Sequence, residues 1–177
     1  MLFRSKSRRI FNTPPHRDGT VASVGDRIPG RVIYVGQIIP PKGVLELLDA
    51  VGQLRARGVE VSLDIVGNID GWDGPTYDGY RERVRGRASA SDLAPHVRLL
   101  GMREDVPSLM AAASIHCLPS WPEGREGFAV VTLEAKRAGL PSVVTPSGAL
   151  PEAINHGVDG WVCRDGSAPA IAEGLAH

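Results

Sequence analysis

Residues 31–54 read RVIYVGQIIPPKGVLELLDAVGQL, and the fold class follows from this stretch. Arg31–Val35 is a short, almost wholly apolar run, as expected of a buried strand. A loop carrying glycine and proline follows, from Gly36 to Gly43. Val44, Leu47, Leu48, Val51 and Leu54 then recur at three- and four-residue steps, the period of a helix with one apolar face. A strand, a turn and a helix in that order form half of a βαβ unit.

The same unit recurs downstream. In Val59–Ile65 apolar residues alternate with Glu60, Ser62 and Asp64, which predicts a strand with one solvated face. Helical patterns are expected around Tyr77–Ala90, Val106–Ala113 and Phe128–Ala138, with strands at Val97–Leu100, Ser114–Leu118 and Ser142–Thr145. A short helix at Leu150–Ile154, a strand at Gly160–Cys163 and a helix from Ser167 complete the pattern. Such alternation predicts an α/β fold, a doubly wound and mostly parallel six-stranded Rossmann-like sheet. Right-handed crossovers place every strand-to-helix loop on one edge, so a ligand is expected at the carboxyl ends of the strands. Residues 1–30 contain Pro14, Pro15, Gly19, Gly25, Pro29 and Gly30 with little apolar periodicity and read as a linker, leaving 31–177 as one domain.

Composition narrows the function classes. Twenty basic residues balance twenty acidic ones, so no bulk field favours nucleic acid. No apolar run approaches the roughly 20 residues of a membrane span. The basic run RSKSRR at 4–9 has no apolar segment after it, which argues against a signal peptide; it reads as an exposed linker, with weak contact to anionic lipid as the alternative. Cys117 and Cys163 sit in apolar strand-like runs without ligand spacing, so no metal site is expected, and buried reduced thiols suit a cytoplasmic protein. Asn68, Asp70 and Asp73 imitate a calcium loop, but Trp72 takes a ligand position. His116, within IHCLP, reads as a core histidine, and no GxSxG nucleophile motif occurs.

Three loops carry the candidate chemistry. After the first strand come Gly36 and Gln37, then Lys42 at the start of a helix, where an ammonium beside helix N–H groups suits phosphate. Taken alone, a solvated lysine is the more ordinary reading. The loop at 119–135 reads PSWPEGREGFAVVTLEA. Glu126 precedes a glycine at a helix start and Glu134 lies further along that helix. Ionised carboxylates only accept hydrogen bonds, so the pair suits a ligand that offers hydroxyls, a sugar and a ribose flanking a diphosphate. The diphosphate would rest on the N–H groups of Gly127, Phe128 and Ala129, with help from the helix dipole. A helix-start carboxylate and an exposed glutamate are equally open on spacing alone. Thr145–Glu152, with Gly148 and Pro151, places a third small-residue turn after a strand.

Four motifs in order then make a specific resemblance: Gly36…Lys42-Gly43 for a G-R-x(3-4)-K-G loop, Leu99-Leu100-Gly101 at a strand end, Glu126–Glu134 as E-x7-E, and Ser147–Glu152 for a G-G-x-P-E turn. Residues 31–176 resemble the C-terminal, nucleotide-sugar-binding domain of the family 4 glycosyltransferases, retaining enzymes of the two-domain GT-B fold. Arg9–Pro15 resembles the hinge of that family. The resemblance implies a transferase that takes a sugar from a nucleoside-diphosphate donor without a further cofactor. A second, acceptor-binding N-terminal half would be needed, without which this chain would be inactive. A GT-B-fold sugar-nucleotide epimerase and a non-catalytic nucleotide-binding module are the alternatives. The resemblance further implies that Lys42 contacts the diphosphate, Glu126 the sugar hydroxyls and Glu134 the ribose, with Gly101–Asp105 lining the base pocket. Lys42 and Glu126 are the expected catalytic residues. Two departures stand out: Gln37 where the family has arginine, and Ser147 where it has glycine, a side chain expected to crowd that turn.

Overall fold

A computed structural model describes residues 27–70, 77, 79–124, 126–127 and 129–177. The strands are β1 (Arg31–Val35), β2 (Ser62–Val66), β3 (Val97–Gly101), β4 (Ile115–Leu118), β5 (Ser142–Val144) and β6 (Gly160–Val162). The helices are α1 (Val44–Ala56), α2 (Tyr80–Ala88), α3 (Val106–Ala112), α4 (Val130–Arg137) and α5 (Ala168–Ala176). The strands form one parallel six-stranded sheet in the order β3-β2-β1-β4-β5-β6. Winding across the sheet reverses between β1 and β4, the switch point at which a doubly wound sheet offers its ligand crevice.

Alternation along the strands supplies both faces of the core. On β1, Val32 and Tyr34 join one apolar cluster with Leu47, Leu48, Val51, Leu63, Ile65 and Ile171, which places α1 and α5 on that face. Ile33 points the other way, to Met110, Ala113, Ala135 and Leu140, from α3, α4 and the turns that follow them. Complete burial of one such aliphatic side chain is worth roughly 1.5–3 kcal/mol. Below the sheet, Arg27 donates to the carbonyls of Ala138 and Gly139 at 2.9 and 2.8 Å, capping the C-terminal end of α4.

Two sequence expectations need correction. Asp64 does not face solvent: it is only 2% exposed, and the Arg98 guanidinium on β3 reaches both of its oxygens at 2.6 Å. Asp64 is instead a buried carboxylate whose charge is matched by a half-exposed arginine on the neighbouring strand. Glu134 lies in the second turn of a helix that begins only at Val130, so Gly127 and Ala129 precede α4 instead of forming its first turn. Phe128 and Asp73 lie outside the described residues, as do 1–26, which hold the hinge-like segment. His116 is a core residue with Nδ1 3.0 Å from the Ser142 hydroxyl, and burial lowers its pKa to about 4, so the ring is neutral.

Candidate donor site at the switch point

The loops after β1 and β4 meet over the crevice and are locked together through backbone. Pro40–Lys42 forms a 3-10 turn, and Gly43 then turns the chain into α1 at φ +67°. Only glycine fits at 43, because a Cβ there would lie 2.0 Å from the Pro119 carbonyl oxygen of the β4 loop. Trp121 N–H donates to the Pro41 carbonyl at 2.8 Å, a second tie between the same loops. Glycine directly after Lys42 is therefore what this contact requires.

That lock brings Lys42 and Glu126 together across 84 residues of sequence. The Lys42 ammonium lies 2.7 Å from Glu126 Oε1 and 2.6 Å from Oε2. The side chains are 20% and 14% exposed, so the pair is screened by water far less than a surface pair. Ser120 Oγ donates to Oε2 at 3.0 Å. The backbone of Glu126 is pinned as well: its N–H donates to Ser147 Oγ at 3.2 Å, and its carbonyl accepts from Ala149 N–H at 3.0 Å. Gly148, at φ +53°, passes so close that a Cβ would sit 1.9 Å from the Glu126 carbonyl oxygen.

Ser147 is fully buried and does not crowd the turn. Its hydroxyl donates to the Trp121 carbonyl at 2.7 Å while accepting from Glu126 N–H, so it joins the β5 turn to both ends of the β4 loop. Thr145 adds a hydrogen bond from Oγ1 to the Ser120 carbonyl. Sequence reasoning missed Ser120 as a partner of Glu126 and misjudged Ser147. The available signal was a hydroxyl residue at a site edge, which finds backbone partners wherever it is buried.

The remaining expected residues are distributed along the same edge. Gly36 directly follows β1, and its lack of a side chain serves Tyr34, whose hydroxyl would lie 2.9 Å from a Cβ at 36. That hydroxyl donates to the Gln37 carbonyl at 2.6 Å, and burial holds its pKa well above the ordinary tyrosine value. Gln37 is exposed. Gly101 ends β3 at φ +66°, with open space on its Cβ side. Gly127 is exposed and also faces open space, while Ala129 is the N-cap of α4. Glu134 is half-buried on α4, and its carboxylate has no hydrogen-bonding or charged partner among the described residues. The structure thus joins Lys42 and Glu126 directly, and among the described residues no hydrogen bond or ion pair ties Gly101 or Glu134 to them.

A parallel sheet in the order β3-β2-β1-β4-β5-β6, with an ammonium–carboxylate pair at its switch point, is a doubly wound, Rossmann-like α/β unit. Residues 29–177 match the family described as Glycosyl transferases group 1, and the chain belongs to that family. It is 30% identical over 152 residues to a GDP-mannose-dependent alpha-(1-6)-phosphatidylinositol monomannoside mannosyltransferase of Mycobacterium tuberculosis, covering 82% of this chain and 37% of the relative. An MMP alpha-(1->4)-mannosyltransferase of Mycolicibacterium hassiacum is 34% identical over 78% of this chain and 31% of its own length. Anabaena HepE in complex with UDP superposes with a TM-score of 0.72 at 28% identity, over 83% of this chain and 38% of HepE. The chain therefore spans about a third of the length of these relatives. Its fold is the Rossmann-like unit of the GT-B glycosyltransferases.

Proposed function

We propose that this chain is the nucleotide-sugar-binding part of a retaining glycosyltransferase, which moves a sugar from a nucleoside-diphosphate donor to an acceptor held by a second half. The observation that carries this reading is the Lys42–Glu126 pair at the β1/β4 switch point. One group of that pair suits a diphosphate and the other a sugar's hydroxyls, and they stand side by side as those parts do in a donor. Lys42 takes the diphosphate, Glu126 the sugar and Glu134 the ribose. Gly101 opens the base pocket, and the backbone of Gly127 and Ala129 flanks the phosphates ahead of α4. Complexes of the Anabaena relative with UDP and with UDP-glucose support a donor of this class.

Catalysis in such a site is positioning of the anomeric carbon and stabilisation of charge on the departing diphosphate. Lys42 supplies that charge; Gln37 supplies none, so the ammonium acts without the arginine the family usually places nearby. Acceptor orientation and exclusion of water belong to the second half, so residues 1–177 alone transfer no sugar. The test is a thermal-shift panel of UDP, GDP and ADP with their common sugar conjugates. A ligand at 100 times its dissociation constant adds about 2.7 kcal/mol of stability. One base series should raise the melting temperature, and a panel with no shift for any nucleotide contradicts the reading.

A further inference from the structure

The Lys42 ammonium is engaged by a carboxylate of its own chain. Among the described residues Lys42 is the only cation in contact with the Glu126 carboxylate, and it reaches both oxygens. The two partners differ in freedom. Glu126 is fixed: Ser120 holds one carboxylate oxygen, Ser147 and Ala149 hold its backbone, and Gly148 packs on its carbonyl. The backbone of Lys42 is also fixed, by the 3-10 turn and by the contact of Gly43 with Pro119, but its four-carbon stem can swing the ammonium away. When the ammonium turns to another anion, the carboxylate cannot follow.

Resting on the donor-site reading above, we infer that Glu126 and a diphosphate compete for Lys42, and that this competition makes the site favour the intact sugar donor over the spent nucleoside diphosphate. A bare diphosphate that draws Lys42 away strands a carboxylate that is 14% exposed, with one hydroxyl as its remaining side-chain partner. A diphosphate sugar draws the same lysine but brings hydroxyl donors to the vacated oxygens, so no charge is left unpaired. Once the sugar has gone, Glu126 reclaims the ammonium and the nucleotide loses its cation. The pair is thus a specificity determinant that also speeds product release. A group that binds the sugar weakens the product, so its removal tightens product binding.

Calorimetric titration of UDP, GDP, UDP-glucose and GDP-mannose into wild type, Glu126→Gln, Lys42→Met and the double variant tests this. Glu126→Gln should bind the diphosphate about three- to tenfold more tightly than wild type, the worth of a partly buried pair. The sugar conjugate should bind no better, so the preference for the intact donor collapses. In the Lys42→Met background the gain from Glu126→Gln should fall to about twofold or less, since no ammonium is left to compete for. Glu126→Asp keeps the charge but withdraws it by one methylene; it too should tighten the diphosphate, and serves if Glu126→Gln folds poorly. Diphosphate binding that is unchanged or weaker in both Glu126 variants overturns the inference. Equal gains with and without Lys42 also overturn it, since they mark a simple field effect. Absence of diphosphate binding in every protein, wild type included, would instead remove the donor-site reading and this inference with it.

Discussion

Asp64 and Glu126 each have both carboxylate oxygens bonded to a cation: Asp64 by the Arg98 guanidinium at 2.6 Å, Glu126 by the Lys42 ammonium at 2.7 and 2.6 Å. The surroundings differ. Asp64 and Arg98 are register partners on the adjacent strands β2 and β3, with Arg31 as a second cation 3.9 Å away. A planar fork on a carboxylate between paired strands has no alternative geometry, and the pair acts as a staple. Lys42 and Glu126 are joined across loops at the edge where the sheet order reverses. A single ammonium on a flexible stem can be exchanged for another partner. The same charge chemistry is structural where register fixes both groups and available to a ligand where only one is fixed.

The widest separation should appear in stability. Arg98→Ala leaves the Asp64 carboxylate buried, with only the distant Arg31, and should cost about 2–3 kcal/mol in urea unfolding. Lys42→Ala should cost less than about 1 kcal/mol, because the Glu126 oxygens keep Ser120 and gain water. Equal losses would erase the distinction between the two pairs. A smaller effect sharpens it. Ser147→Gly, which restores the residue usual in the family, removes one hydroxyl bonded to both Trp121 and Glu126 and should cost about 0.5–1.5 kcal/mol. It should also weaken a diphosphate sugar more than the bare diphosphate, as Glu126 loses its fixed position. An increase in stability on that change would mean that the side chain does crowd the turn.

Periodicity alone carried most of the fold. Val44–Leu54 shows its helix through one apolar stripe, and six apolar runs spaced by helices leave few arrangements other than a doubly wound sheet. The error at Asp64 arose because its partner stands 34 residues away, and a local pattern cannot distinguish a buried carboxylate paired across strands from a wet face. At the site, Lys42 and Glu126 were legible one at a time, as a cation at a helix start and a carboxylate before a glycine. Their union was not legible, since it depends on β1 and β4 being neighbours, which strand order decides. Ser147 was misread for the same reason: its partners are 21 and 26 residues distant, and only the folded turn shows that its hydroxyl has somewhere to go.

The central claim, that the cation at the switch point exists to hold a diphosphate, is tested most directly by calorimetry on wild type and Lys42→Ala with a nucleoside and its diphosphate, uridine with UDP and guanosine with GDP. The account predicts that one base series binds wild type, and that Lys42→Ala weakens the diphosphate by about tenfold, ~1.4 kcal/mol, while the nucleoside is unaffected. A diphosphate that binds Lys42→Ala as tightly as wild type would contradict it.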